Sequence, residues 1–129
     1  LPVLPVPSAA DSITAAIEAA GGAISFEQFM SLALYGDGGF YQSGGKAGRR
    51  GDFITSPEVG PLFGAVVARY LDHCWMSLGS PEVFDVVECG AGPGTLARAI
   101  FDAQPKCLPA LKYCAVEISE SQRAPGYRL

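Results

Sequence analysis

The sequence predicts an α/β fold in which helices precede a parallel βαβ unit. Apolar residues recur at helical spacing along residues 62–75, and then change to two short β-branched runs, "VFDVVE" and "LKYCAVEIS". Between these runs lie a glycine-rich turn and the amphipathic stretch "TLARAIFDAQ". A strand, a helix and a second strand in this order favour a parallel pair with a right-handed crossover.

The composition narrows the class of protein. The 129 residues are 49% apolar and 17% charged, with a net charge of −4. Such values are typical of one globular domain and not of a disordered chain. An acidic balance argues against a nucleic-acid surface, which is normally basic. No apolar run reaches the roughly 18 residues of a membrane span, so we expect neither nucleic acid nor a membrane span.

The cysteines, at positions 74, 89, 107 and 114, include no Cys-x-x-Cys pair, so neither a metal site nor a redox pair is predicted. Three of them fall in apolar stretches, where a free thiol behaves as a small hydrophobe. We therefore expect a reduced, intracellular protein. The chain begins with Leu1 and lacks a basic segment before an apolar one, so no signal peptide is expected. The chain could be a processed product or a fragment.

Residues 1–23 are predicted to form an extended arm and a short helix. Prolines at positions 2, 5 and 7 favour extended backbone. The helix is expected to begin at Asp11 or Ser12 and to stop at Gly21 and Gly22.

Residues 24–80 are predicted to be a helical segment with a glycine-rich loop. Ser25 and Gln28 have capping-box spacing, and the helix they begin is expected to end at Gly36. The loop that follows, residues 36–51, is long enough to be functional. Its basic residues could meet an anion, although a solvated loop face is the alternative; they are Lys46, Arg49 and Arg50.

A longer helix is expected to begin at Ser56, to be delayed by Pro61 and to end at Gly79. His73 lies off its apolar stripe and makes neither a metal site nor a catalytic triad. We interpret the stripe as core packing. It consists of Leu62, Phe63, Val66, Val67, Tyr70, Leu71, Cys74 and Trp75.

Residues 81–129 contain the βαβ unit, with Leu96, Ile100 and Phe101 predicted to face the sheet. The glycine turn lies between the first strand and the helix, where ligands bind in open α/β sheets. Bare N–H groups and the positive end of the helix there would favour a carboxylate or a phosphate. Glu117, at the end of the second strand, could accept hydrogen bonds from a ribose diol. This arrangement predicts a nucleoside-bearing cofactor.

Two cofactors compete for the turn "ECGAGPGT". The dinucleotide fingerprint G-x-G-x-x-G fails because Thr95 stands at its third glycine. The form acid-x-Gly-x-Gly-x-Gly is complete, and its acid suits the ammonium group of S-adenosyl-L-methionine better than a pyrophosphate. It consists of Glu88, Gly90, Gly92 and Gly94. A merely structural tight turn remains an alternative.

Four strings, "FEQFMSLALYGDGGFY", "GDFITSPEVGPLFG", "VECGAGPGTL" and "YCAVEIS", occur in this order. They resemble the MidA family of class I S-adenosylmethionine-dependent methyltransferases, whose mitochondrial members are complex I assembly factors. The resemblance covers about residues 24–122. It implies a Rossmann-like class I methyltransferase fold, here incomplete, in which residues 81–129 supply the first βαβ part of the cofactor-binding domain.

The resemblance also implies a site. The methionine end of the cofactor would be lined by Glu88, Gly90, Gly92, Gly94 and Thr95, and its ribose would be bound by Glu117. Two departures from the family pattern are Phe40, where tyrosine is usual, and Pro93, where a basic residue is common. The family's distinctive segment near the active site would include Asp52, Phe53, Thr55, Ser56, Pro57 and Glu58.

Methylation of a protein arginine, on a subunit of respiratory complex I, is the activity that the resemblance implies. Asp52 and Glu58 are the candidates for orienting a guanidinium. The alternative is structural: Asp52 would stabilise a turn, and Glu58 would stabilise the N-terminus of a helix. The implied location is the cytoplasm in a bacterium and the mitochondrial matrix in a eukaryote.

The chain supplies only two predicted strands, whereas the family's sheet has seven. Whether it is a complete enzyme is therefore left open, and a truncated, non-catalytic binding or assembly module is the alternative. A nicotinamide-dependent oxidoreductase is a third hypothesis, which Thr95 disfavours.

Overall fold

The computed structural model describes residues 7–45, 51–119 and 123. They form an α/β structure, as predicted. The described residues fall into two compact units: an N-terminal unit (7–45 with Ser119) and a sheet unit (51–118 with Arg123). In chain order the elements are α1 (Ala9–Ala19), α2 (Phe26–Tyr35), α3 (Ser56–Val59), α4 (Pro61–Ser77), β1 (Phe84–Cys89), α5 (Thr95–Asp102) and β2 (Leu111–Val116).

Two capped helices that pack together form most of the N-terminal unit. The prediction that α1 begins at Asp11 or Ser12 is wrong, because Ser8 caps it. The Asp11 N–H donates to Ser8 Oγ at 3.2 Å, and Asp11 Oδ2 accepts from the Ser8 N–H at 3.1 Å. The helix therefore begins at Ala9. Pro2 and Pro5 of the predicted arm lie outside the described residues.

The capping box of α2 is confirmed. The Gln28 N–H donates to Ser25 Oγ at 3.1 Å, and Gln28 Oε1 accepts from the Ser25 N–H at 3.0 Å. The helix ends at Gly36, as predicted. In the following loop Tyr41 accepts a hydrogen bond at its carbonyl from the buried Ser119 hydroxyl, at 2.9 Å. The basic loop residues, Lys46, Arg49 and Arg50, lie outside the described residues.

The face that α4 buries coincides only in part with the predicted stripe, of which Val67, Leu71, Cys74 and Trp75 are half-buried. Of the predicted stripe, Leu62, Val66 and Tyr70 are 76%, 58% and 65% exposed. The buried positions of α4 are instead Gly64, Ala68 and Asp72. These short side chains let α4 approach α5 closely: a Cβ added at Gly64 would lie 2.9 Å from the carbonyl carbon of Ala99. The buried face of α4 is therefore the one that lets the two helices approach closely. Large apolar side chains on that face would keep the helices apart.

The sheet consists of β1 and β2, paired in parallel from Phe84↔Leu111 to Cys89↔Val116. Helix α5 covers one face of the sheet. The rings of Phe101 in α5 and Tyr113 in β2 pack edge to face, with their centroids 5.8 Å apart. Ile100 is buried, as predicted, and Leu96 and Phe101 are half-buried. Val87 and Val116 lie exposed on the opposite face. Among the described residues, no helix combines the length and apolar character needed to cross a membrane.

A buried carboxylate ties α4 to the connection between α5 and β2. Asp72 is 3% exposed, and its Oδ1 accepts from the Cys107 N–H at 2.9 Å. Its Oδ2 lies 4.0 Å from Arg69 Nη1, which is too far for a hydrogen bond. Burial and the neighbouring Asp72 raise the pKa of the Cys107 thiol to about 11, so this thiol stays protonated at neutral pH. All four cysteines are free.

We expect Asp72→Ala to lower the free energy of unfolding by about 2 kcal/mol, because it leaves a buried N–H without an acceptor. Asp72→Asn keeps an acceptor oxygen and should cost clearly less. Urea unfolding followed by the fluorescence of Trp75, the single tryptophan, measures both. Equal losses for the two variants would contradict this role of the carboxylate.

Candidate functional site

The glycine turn lies at the junction between β1 and α5, at the carboxyl end of the strand. Gly90, Gly92 and Gly94 have φ of 72°, 53° and 73°, in the left-handed region that glycine adopts without steric cost. Gly94 is also the N-cap of α5 and makes no side-chain cap. Three left-handed residues at alternate positions explain why the chain uses glycine at each of them.

Most amides of the turn are already bound within the protein. Gly90 and Ala91 donate to the Val116 carbonyl at 2.8 and 3.1 Å, and Gly94 donates to the Ala91 carbonyl at 2.8 Å. The expectation that the turn offers bare N–H groups is therefore wrong for these residues. The end of β2 lies beside the turn, and its Val116 carbonyl accepts the hydrogen bonds of Gly90 and Ala91. Gly94 gives α5 no side-chain cap, and the first N–H groups of a helix have no acceptor within the helix itself.

Glu117 is brought to the turn, although it is 25 residues from Gly92 in the sequence. Its Oε2 accepts a hydrogen bond from the Gly92 N–H at 2.9 Å. Beside it the turn is open, because a Cβ added at Gly90 or Gly92 would meet nothing within 4 Å. A ligand can therefore approach the main chain here, next to a carboxylate.

Glu88 is half-buried at the end of β1 and accepts a hydrogen bond from the Tyr113 hydroxyl at 2.8 Å. Burial raises the pKa of the Glu88 carboxyl above its usual range, and the Tyr113 hydrogen bond opposes that rise. Tyr113 was not among the predicted site residues. Its signal would have been the alternation of β2, which places Tyr113 on the same face of the sheet as Glu88.

Arg98 was not predicted as a site residue either. Its side chain connects the glycine turn to the start of α5. Its Nη1 donates to the Pro93 carbonyl at 2.8 Å, and its Nη2 lies 3.4 Å from Thr95 Oγ1. The i, i+3 spacing of Thr95 and Arg98 on a helix could have indicated the second contact. Arg98 thus brings a positive charge next to Pro93.

Of the two candidates for orienting a substrate, one lies near the turn. Glu58 is half-buried in α3 and lines a groove of about 320 Å³ together with Thr95 and Arg98. Asp52 is exposed and does not line that groove. In the part of the chain that the structure describes, no three His, Cys, Asp or Glu side chains are placed to hold a metal ion.

The fold is that of a Rossmann-like α/β protein: a strand, an open glycine turn, a helix and a parallel second strand that ends in a carboxylate. In this class of protein ligands bind beyond the carboxyl ends of the strands. Comparison with known proteins supports the family resemblance. Residues 66–125 match the family described as "Putative S-adenosyl-L-methionine-dependent methyltransferase". The resemblance to the MidA family of methyltransferases is confirmed.

The relatives include a solved structure and curated mitochondrial proteins. A crystal structure from Burkholderia thailandensis, bound to S-adenosyl-homocysteine, superimposes with a TM-score of 0.73 at 36% identity, covering 93% of this chain and 34% of that one. The mitochondrial protein arginine methyltransferase NDUFAF7 of Homo sapiens is 33% identical over 98 residues, 75% of this chain and 22% of the relative. Its Drosophila melanogaster homologue is 41% identical over 86 residues, 66% of this chain and 20% of the relative. The chain thus spans about a fifth of the length of these curated relatives.

Proposed function

We propose that this chain carries the S-adenosyl-L-methionine site of a methyltransferase that acts on arginine in protein. The observation that carries the proposal is the Glu117 carboxylate, 2.9 Å from the Gly92 amide beside an open left-handed turn. A carboxylate there can accept both hydroxyl groups of a ribose, and an open turn admits the chain of an amino acid. The solved relative bound to S-adenosyl-homocysteine supports this choice of cofactor.

Each residue of the site then has a part in binding. Glu117 would hold the ribose diol, and Glu88 would attract the ammonium of the methionine end. The uncapped start of α5, at Thr95, would favour the carboxylate of that end. Gly90 and Gly92 would leave room for the ligand against the main chain, and the buried Gly94, with φ 73°, would shape the turn into α5. When bound, S-adenosyl-L-methionine supplies a methyl group on a sulfonium, so the protein's task is binding and alignment.

For the substrate, the groove between α3 and α5 offers Glu58. A half-buried carboxylate there could orient a guanidinium and favour the reacting nitrogen, and Asp52 is the second candidate. The relatives named as protein arginine methyltransferases support arginine in a protein as the acceptor. A subunit of respiratory complex I is the partner we propose, in the mitochondrial matrix of a eukaryote; a bacterial protein would act in the cytoplasm.

Isothermal titration with S-adenosyl-L-homocysteine tests cofactor binding, and incubation with radiolabelled S-adenosyl-L-methionine and a complex I preparation tests transfer. Saturable binding together with label on arginine is the expected result. Binding without transfer would favour the non-catalytic binding module, and tight NADH binding alone would favour the oxidoreductase. Absence of binding by the folded chain would contradict the proposed cofactor.

Cofactor binding should weaken as the pH falls through the pKa of Glu88, because only the carboxylate attracts the ammonium. Below that pKa, affinity should drop about tenfold per pH unit. The Tyr113 hydroxyl stabilises the charged form of Glu88, so Tyr113→Phe should shift this loss to higher pH while leaving affinity at pH 8 nearly unchanged. Titrations with S-adenosyl-L-homocysteine from pH 5 to pH 8 measure the shift.

The matched control is Tyr70→Phe, since Tyr70 is exposed on α4. This variant should reproduce the wild-type pH profile. A Tyr113→Phe profile that coincides with the wild type would exclude Tyr113 as a partner that matters to Glu88 in binding.

A further inference from the structure

The Glu117 side chain contacts one amide of the glycine turn, that of Gly92. Among the described residues, the other amides of the turn donate to main-chain carbonyls, whereas the Gly92 N–H donates to Glu117 Oε2. This hydrogen bond is part-buried and its acceptor is a carboxylate. Charge-assisted hydrogen bonds of this kind are roughly twice as strong as neutral ones. It is therefore able to hold Gly92 in the left-handed conformation, φ 53°.

The hydrogen bond from Gly92 occupies one of the acceptor positions of the Glu117 carboxylate. A carboxylate has two oxygens and about four lone-pair positions, so one group can accept from a main-chain amide and from a diol together. The Val116 carbonyl, one residue before Glu117, accepts from Gly90 and Ala91. The end of β2 thus supports the turn at three consecutive residues, two through its main chain and one through Glu117.

We propose that Glu117 is a positioning residue for the glycine turn as well as the ligand of the ribose. Because the same carboxylate would bind the ribose and accept from the Gly92 N–H, the position of the ribose and the conformation of the turn would depend on each other. The turn receives the amino-acid end of the cofactor. The coupling rests on the proposed function. The hold on Gly92 concerns the protein's own residues and can be tested without any ligand.

Amide hydrogen exchange, read by NMR on the full 129-residue chain, tests the hold. In Glu117→Ala the Gly92 amide should exchange at least about tenfold faster than in the wild type, because a hydrogen bond to a charged group is lost. In Glu117→Gln the amide oxygen can still accept from Gly92, so exchange should stay within about threefold of the wild type. The Gly90 amide, bound to the Val116 carbonyl, should be unchanged in both variants and reports that the unit is folded.

Titration with S-adenosyl-L-homocysteine tests the coupling. Glu117→Gln should lose about tenfold in affinity through the weakened diol contact. Glu117→Ala should lose about tenfold more, because the turn is then no longer held. Glu82→Ala, which removes an exposed carboxylate ahead of β1, is the matched control and should bind as the wild type does.

The results that would overturn the inference are specific. They are a Gly92 exchange rate that does not respond to Glu117→Ala, or equal affinities of the Gln and Ala variants for S-adenosyl-L-homocysteine. The two proposals fail in different ways. A wild-type chain with a protected Gly92 that binds no S-adenosyl-L-homocysteine contradicts the proposed function and the coupling, but leaves the hold on the turn supported.

Discussion

Gly92→Val is expected to reduce the affinity for S-adenosyl-L-homocysteine by about a hundredfold or more. Gly92 has φ 53°, where an L-residue costs roughly 1–2 kcal/mol and a β-branched one more. The valine side chain would also occupy the open space beside the turn in which the ligand is proposed to lie. Both effects act on binding, and isothermal titration measures their sum.

Gly79→Val separates strain from blockage of the site. Gly79 has φ 82° and open space around its Cβ position, as Gly92 has, but it follows the end of α4. Its valine variant should lose a similar amount of stability and still bind S-adenosyl-L-homocysteine as the wild type does. Binding by Gly92→Val at wild-type strength would refute the assignment of the turn, and equal loss in both variants would mean that strain alone had been measured.

Gly64→Leu is expected to lower the free energy of unfolding by about 3 kcal/mol or more, the upper part of the range for overpacking. Gly64 is buried where α4 meets α5, and even a methyl group there would lie 2.9 Å from the Ala99 carbonyl carbon. The backbone of Ala99 cannot move aside as the end of a flexible side chain can, so the helices must separate. Urea unfolding measures the loss.

The matched control is Gly60→Leu at the junction of α3 and α4. Gly60 has φ 162°, an extended conformation that any residue adopts, and nothing lies within 4 Å of its Cβ position. Its variant should stay within about 0.5 kcal/mol of the wild type. If Gly64→Leu proved equally mild, the close contact between α4 and α5 would not be what stabilises the sheet unit.

The local signals predicted most of the secondary structure correctly. The capping box at Ser25, the stop at Gly36 and the delay of the regular helix by Pro61 each depend on residues within a few positions of one another. The βαβ unit followed from the change of apolar period. The start of α1 was missed, although Ser8 and Asp11 carry the same kind of local signal.

The buried face of α4 was predicted only in part in this way. Periodicity shows which residues share a face of a helix, and it favours the large apolar residues as the core, whereas Leu62, Val66 and Tyr70 are exposed. The face that is buried carries Gly64 and Ala68, because small residues allow the backbone of α5 to come close. That preference depends on a partner helix about 30 residues further along the chain.

The sequence by itself determined the class of fold, the position of the glycine turn and the acids at the ends of the two strands, because each is written in neighbouring residues. Only the tertiary structure decided what those groups contact. Glu117 meets Gly92 across 25 residues, Tyr113 meets Glu88 across 25, and Asp72 meets the Cys107 amide across 35. Such contacts arise when strand pairing and helix packing bring distant segments together. The conformational preferences of neighbouring residues therefore do not predict them.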